Sequence, residues 1–127
     1  MPDLIPVILE SPFAGDVEMN LCYLRACMRD CLLNHGEAPF ASHGLYTQDG
    51  VLDDTLPDER DLGIAAGFVW GRLGEVKRRV FYTDLGMTTG MKHGLAEATM
   101  LGQEVVYRDL PGWIADVRDS QPSSQTD

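Results

Sequence analysis

Apolar and polar positions divide the chain into four short strand-like segments separated by longer helix-like segments. The predicted strands cover residues 5–10, 38–42, 77–84 and 104–107, where short apolar runs end at turn residues. The predicted helices cover residues 17–35, 58–73 and 90–101, where apolar residues recur every three or four positions. This alternation predicts an α/β fold: a flavodoxin- or Rossmann-like parallel sheet of four to five strands, flanked by helices and joined by right-handed crossovers.

The ends of the first helix are marked by residues that favour helix caps. Asp16 is a suitable N-cap, and Gly36 is a suitable C-terminal stop. Steps of three and four residues predict that this helix buries a stripe formed by Val17, Leu21, Leu24, Met28 and Cys31. Later in the chain, residues 43–57 are predicted to form a long loop and residues 111–117 a short helix.

The length and composition fit one domain with a hydrophobic core. The chain has 127 residues, 44% of them apolar, which predicts a single domain over residues 1–117 and a disordered polar tail over 118–127. Its formal net charge of −10 disfavours binding to nucleic-acid polymers or to an anionic membrane. Because no apolar run is long enough to span a bilayer and no signal-like segment is present, we expect a cytoplasmic protein.

The three cysteines all lie in the first predicted helix. Cys27, Cys31 and His35 are spaced four residues apart and could share one face, so a metal site there stays an alternative. We favour small buried thiols, because the chain has no second cluster of ligands and an odd number of cysteines does not suggest a disulfide framework. We therefore expect neither a metal nor a cofactor.

Three connections rich in small residues are predicted to reach the same edge of the sheet. Ligands of open parallel sheets bind beyond the carboxyl ends of the strands, which is where residues 11–15, 43–46 and 84–90 are expected to lie. Their convergence predicts a site for a small molecule. The candidate ligand-binding residues are Ser11, Phe13, Gly15, His43, Tyr46, Thr88, Thr89 and Gly90.

Two of these candidates have simpler alternatives. His43 can act as an acid or base near neutral pH, but a lone loop histidine is more often structural. Tyr46 can stack on a base, or it can anchor the loop at the surface.

The third connection, Gly86-Met-Thr-Thr-Gly-Met-Lys-His-Gly94, has the features of an anion site. It leads from a predicted strand into a predicted helix, whose first turn presents unpaired N–H groups and a partial positive charge. Asp84, at the end of the strand, can accept hydrogen bonds from a sugar. The segment therefore predicts a nucleotide or sugar-phosphate site, and the alternative is an ordinary strand-to-helix turn.

The order of several segments resembles the nucleoside 2-deoxyribosyltransferase superfamily. They are Ser11-Pro-Phe-Ala-Gly15, Asp61-Leu62, Asp84 before Thr88-Thr-Gly90, and Ala98-Thr-Met-Leu-Gly-Gln-Glu-Val105. The resemblance spans residues 5–107 and includes the 2′-deoxynucleoside 5′-phosphate N-hydrolases and small, often phage-borne relatives. It implies a flavodoxin-like fold and a homo-oligomer, dimeric or larger. It also implies that a carboxylate helps to cleave the N-glycosidic bond of a nucleoside or nucleotide, by hydrolysis or deoxyribosyl transfer.

The resemblance assigns roles to individual residues. It places Asp84 near the sugar, Thr88 near the phosphate and Asp61 on the middle helix. The position of the nucleophilic glutamate of that superfamily is Gly94 in this chain.

Glu97 is the nearest substitute for that glutamate, because it lies three residues further along a similar helical face. The expected catalytic residues are therefore Glu97, Asp84 and Asp61. The alternative is that Glu97 is an ordinary solvated helix residue and that the protein binds a nucleotide without turnover, as a sensor or sequestering factor.

Overall fold

Four parallel strands form one sheet in the computed structural model, which describes residues 3–113. The strands are β1 (Ile5–Glu10), β2 (Glu37–Phe40), β3 (Arg78–Tyr82) and β4 (Glu104–Arg108). Their order across the sheet is β2-β1-β3-β4, so β1 and β3 are central. The predicted α/β, Rossmann-like fold is confirmed, and each strand begins and ends within two residues of its predicted position.

Four helices accompany the sheet in the described part of the chain. They are α1 (Val17–Asn34), α2 (Ser42–Leu45), α3 (Pro57–Gly71) and α4 (Thr89–Leu101). The four-residue helix α2 begins at the last residue of the predicted second strand and continues into residues 43–57, which were predicted to be entirely loop. One helical turn is too short to show a periodic pattern. Within residues 3–113, no helix has both the length and the apolar character needed to cross a bilayer.

The predicted caps of α1 are confirmed, but its buried stripe lies partly elsewhere. Asp16 accepts a hydrogen bond from the backbone N–H of Met19 at 3.0 Å, and Gly36 has a φ of +62° just after the helix. Val17 is exposed, whereas Leu24 and Cys31 are buried as predicted. The buried stripe of α1 consists of Met19, Asn20, Tyr23, Leu24, Cys27 and Cys31.

Alternation along the central strands separates the two faces of the sheet. Val7 and Leu9 of β1, with Val80 and Tyr82 of β3, form the core together with α1. The residues that alternate with them therefore project toward the opposite face, where α3 and α4 lie. Those residues include Ile8, Glu10 and Arg79.

The cysteines behave as small apolar side chains where they are buried. Cys27 and Cys31 are fully buried in the core, and Cys22 is exposed. His35 pairs with Asp30 at 3.1 Å instead of with a cysteine. Among the described residues, no group of three His, Cys, Asp or Glu side chains is placed to hold a metal ion. The predicted tail at 118–127 and most of the predicted helix at 111–117 lie outside the described residues.

One buried carboxylate ties both edges of the sheet together on the α1 side. Glu37 has a fully buried side chain and accepts two hydrogen bonds from Arg108 at 2.7 Å and one from Arg78 at 2.8 Å. Burial alone would raise the pKa of Glu37, but the hydrogen bonds from the two guanidinium groups outweigh it and lower the pKa from 4.5 to about 2. Glu37 is therefore ionised and paired at neutral pH.

We expect Glu37→Gln to lower the free energy of unfolding by roughly 3 kcal/mol at neutral pH, because the ionised form is favoured in the folded state. The folded-state pKa is depressed, so this contribution is present above the ordinary value of 4.5 and is lost as the pH falls toward about 2. Urea unfolding of the wild type and of Glu37→Gln, at neutral and at acidic pH, measures the difference in the free energy of unfolding. The matched control is Glu104→Gln, whose 58%-exposed side chain pairs with Arg78 alone and should contribute little. A difference that does not shrink in acid would contradict the assignment.

Candidate functional site

A cavity of about 330 Å³ lies between the second face of the sheet and helices α3 and α4. It opens at the carboxyl end of β1, where a ligand site is expected in a sheet of this kind. Six of the eight ligand-binding candidates predicted from the sequence line it, namely Ser11, Phe13, His43, Thr88, Thr89 and Gly90. The connections after β1, β2 and β3 therefore meet at one cavity.

The other two candidates, Gly15 and Tyr46, do not line the cavity. Gly15 has a φ of +100°, a conformation that favours glycine, immediately before the N-cap of α1. The Tyr46 hydroxyl accepts a hydrogen bond from Trp70 Nε1 at 2.8 Å, and its ring meets Phe40 at a centroid distance of 6.4 Å. Tyr46 thus joins the segment after α2 to α3.

The N-terminus of α4 faces the cavity. Thr88 is the N-cap, with an extended backbone, and its Oγ1 accepts a hydrogen bond from the N–H of Met91 at 3.2 Å. Thr89 and Gly90 form the first turn, whose N–H groups have no partner within a helix. The partial positive charge of this helix end favours an anionic group in the adjoining space.

Ser11 and His43 form a hydrogen-bonded pair on the wall of the cavity. The Ser11 Oγ and the His43 Nε2 are 2.8 Å apart. Burial lowers the pKa of His43 from 6.5 to about 4, so the ring is neutral at neutral pH. A neutral imidazole has one donor and one acceptor nitrogen, so His43 can orient the serine hydroxyl but does not offer a positive charge to a phosphate.

Glu97 and Asp61, two of the acids expected to be catalytic, do not line the cavity. Glu97 is only 4% exposed and binds Arg72, whose Nε donates to Oε2 at 2.7 Å and whose Nη2 donates to Oε1 at 3.3 Å. Asp61 is exposed on α3.

Asp84, the third of these acids, is held by residues of the core on the α1 side of the sheet. Its Oδ2 accepts hydrogen bonds from the Tyr23 hydroxyl at 2.6 Å and from the backbone N–H of Leu110 at 2.9 Å. These two bonds connect the end of β3 to α1 and to the segment after β4. Asp84 is not among the residues that line the cavity.

The cavity contains an ion pair, Glu10–Arg79, that was not predicted from the sequence. Arg79 Nη1 donates to Glu10 Oε2 at 3.0 Å, and Arg79 is 2% exposed. Burial raises the pKa of Glu10 from 4.5 to about 7, although the charge of Arg79 and its hydrogen bond act in the opposite direction. The sequence contains a pattern that could have indicated this pair, because Glu10 and Arg79 each alternate with apolar core residues along their strands.

Gly94 leaves the space that the Glu10 carboxylate occupies. A Cβ added at Gly94 would overlap the carboxylate oxygen Oε2 of Glu10. Gly94 is buried and lines the cavity. The position at which the resemblance placed a glutamate is thus filled by the carboxylate of a residue from β1.

Comparison with known proteins gives a family but no activity. A family model described as "Domain of unknown function (DUF7768)" matches residues 5–108, from the first residue of β1 to the last residue of β4. No curated protein and no solved structure matches the chain. The matched range includes every residue described above as lining the cavity.

We expect Gly94→Ala to lower the free energy of unfolding by about 1–3 kcal/mol, because the new methyl group must push the Glu10 carboxylate away from Arg79. The matched control is Gly90→Ala on the same helix, where the nearest atom to an added Cβ is Thr88 Oγ1 at 3.9 Å. That control should leave stability unchanged or raise it by up to about 1 kcal/mol. Urea unfolding compares the two variants, and equal effects would contradict the close packing of Gly94 on Glu10.

Proposed function

The chain belongs to the DUF7768 family, and we propose that it cleaves the N-glycosidic bond of a nucleoside or nucleotide, by hydrolysis or by deoxyribosyl transfer. One observation carries the proposal: the same cavity combines a helix N-terminus that suits a phosphate with a largely buried carboxylate, that of Glu10, whose pKa is raised to about 7. The N-terminus of α4 would bind the phosphate of the substrate. The carboxylate would assist cleavage of the glycosidic bond.

The binding part of the proposal is supported by the charges that line the cavity. The protein has a net charge of −10, whereas the cavity is lined by two arginines, Arg60 and Arg79, and two carboxylates, Glu10 and Asp54, together with the N-terminus of α4. The phosphate would lie against the first turn of α4, near Thr88 and Gly90. A small anion responds to the local field of its pocket more than to the distant surface charge.

The base and sugar have apolar walls to contact. Phe13, Phe40 and Phe68 line the cavity, and aromatic rings can pack against the face of a base. The volume of about 330 Å³ lies within the range of small-molecule sites. The cavity can therefore surround a ligand of nucleoside size while its anionic end stays at α4.

A second function, nucleotide binding without turnover, is favoured by a different observation. The three acids expected to be catalytic are Asp84 and Asp61, which the resemblance implies, and Glu97 as the substitute for its missing glutamate. All three lie outside the residues that line the cavity. A protein that binds a nucleotide without turnover would act as a sensor or a sequestering factor. The two functions share the binding step and differ only in whether free base is released.

Incubation of the protein with a panel of nucleosides, 2′-deoxynucleosides and their 5′-monophosphates tests the proposal, with chromatography to detect free base. We expect base release from at least one monophosphate. Its kcat/KM should exceed that of the matching nucleoside by roughly 10- to 100-fold, the value of one charge-assisted hydrogen bond.

Thermal unfolding of the same mixtures separates the two functions. A nucleotide that raises the melting temperature without releasing base supports binding alone. A folded protein that neither releases base nor is stabilised by any member of the panel would exclude both functions.

We also propose that the protein forms a homo-oligomer of two or more chains. Large apolar side chains are exposed on α3 and α4, and association with a second chain would remove them from water. They are Leu62, Val69, Trp70 and Met100, between 46% and 71% exposed.

Light scattering coupled to size exclusion should give a mass of at least twice the 14.0 kDa of one chain. Val69→Glu places a charge on the exposed face of α3 and should reduce that mass, because a buried unpaired charge opposes association. The matched control is Glu75→Gln, a surface change outside both helices. A wild-type mass of 14.0 kDa would refute self-association.

A further inference from the structure

The carboxylate of Glu10 has one oxygen held by the protein and one left for another partner. Oε2 accepts the hydrogen bond from Arg79 Nη1 at 3.0 Å, while Oε1 has no hydrogen-bond partner among residues 3–113. The side chain is 16% exposed and lines the cavity. The ion pair therefore fixes the carboxylate without using all of its hydrogen-bonding capacity.

A chain of hydrogen bonds holds Arg79 in place. Its Nε donates to Gln103 Oε1 at 3.1 Å. The Nε2 of Gln103 in turn donates to the backbone carbonyl groups of Gly71 at 2.7 Å and Val76 at 3.1 Å. Arg79 is thus anchored to the end of α3, and the position of Glu10 follows from it.

The absence of a side chain at Gly94 allows this carboxylate to lie between β1 and α4. Any larger residue there would occupy the place of Oε2. Glu10 therefore reaches the same space as Ser11, His43 and the first turn of α4, all of which line the cavity. Of the other carboxylates in the described residues, only that of Asp54 lines this cavity as well.

We propose that Glu10 is the catalytic carboxylate of this cavity and that it protonates the leaving base. This inference rests on the proposed function. The protonated carboxyl group donates its proton to a nitrogen or oxygen of the base as the C1′–N bond breaks, and the bonding electron pair leaves with the base. A water molecule adds its oxygen to C1′, and the proton that this water loses returns to the Glu10 carboxylate.

The ionisation of Glu10 suits an acid that works near neutral pH. Burial raises its pKa to about 7, so a substantial fraction is protonated there while the group can still release its proton. The other titratable groups that line the cavity come from five parts of the chain: His43 of α2, Asp54 of the segment between α2 and α3, Arg60 of α3, Arg79 of β3 and His93 of α4. Of these, Arg79 is the group that pairs with Glu10 directly.

Glu10→Gln tests the assignment, because glutamine keeps the shape and an acceptor for Arg79 but has no acidic proton. We expect kcat for base release to fall at least about 100-fold, the usual range for loss of a general acid, while the nucleotide still raises the melting temperature. The matched control Glu75→Gln makes the same chemical change at an exposed position and should leave kcat unchanged.

The pH dependence supplies a second readout that does not need a variant to fold. Wild-type kcat/KM should fall as the pH rises through about 7, where Glu10 loses its proton. A profile that stays level between about pH 6 and pH 8 would overturn the assignment even if Glu10→Gln is unfolded.

The outcomes distinguish this inference from the function on which it rests. A wild-type protein that releases no base from the panel would remove the proposed function and the role of Glu10 together. Base release that persists in Glu10→Gln, or that is abolished only in Glu97→Gln, would overturn the role of Glu10 and leave the function standing.

Discussion

Successive side chains of a β-strand point to opposite faces of the sheet, and this alternation in β1 and β3 determines where the molecule packs and where it can bind. Val7, Leu9 and Val80 complete the core with α1 on one face. Ile8, Glu10 and Arg79 are consequently placed on the other face, where the cavity lies. A one-residue shift of β1 would turn Glu10 toward the core, and the same shift of β3 would turn Arg79 toward it, so either shift would break the ion pair.

Two glutamates with little solvent exposure, Glu37 and Glu10, have pKa values shifted in opposite directions, and they differ in the number of arginines that they pair with. Glu37 receives hydrogen bonds from two arginines, and its pKa falls to about 2. Glu10 receives one from a single arginine, and burial prevails, so its pKa rises to about 7. The first carboxylate is charged at neutral pH and is paired with arginines of two other strands. The second can exchange a proton near neutral pH, which is the property that acid–base chemistry requires.

Much of the fold could be predicted from the sequence, because local signals identified its elements. The cap at Asp16 and the glycine at position 36 bound α1, and apolar runs located the central strands. The convergence of three loops on one edge follows from parallel topology, and it was sufficient to predict six of the residues that line the cavity.

The pairing inside the cavity could not be predicted in the same way. Glu10 and Arg79 are 69 residues apart in the sequence, and only the register of β1 on β3 brings them together. Glu97 illustrates the opposite problem. Three residues along a helix correspond to a rise of about 4.5 Å, and at that depth its carboxylate meets Arg72 instead of the cavity. No pattern along one helix reveals a partner that another helix supplies.

The burial that sets the pKa of Glu10 also affects the folding equilibrium. A carboxyl group that binds its proton more tightly when folded stabilises the native state while it is protonated. That contribution is complete below the ordinary value of 4.5 and disappears as the pH rises through about 7. As the pH rises through about 7, Glu10 gives up its proton and the native state loses the stabilisation that the bound proton provides. The pH range in which this side chain can transfer a proton is therefore also the range in which its contribution to the free energy of unfolding declines.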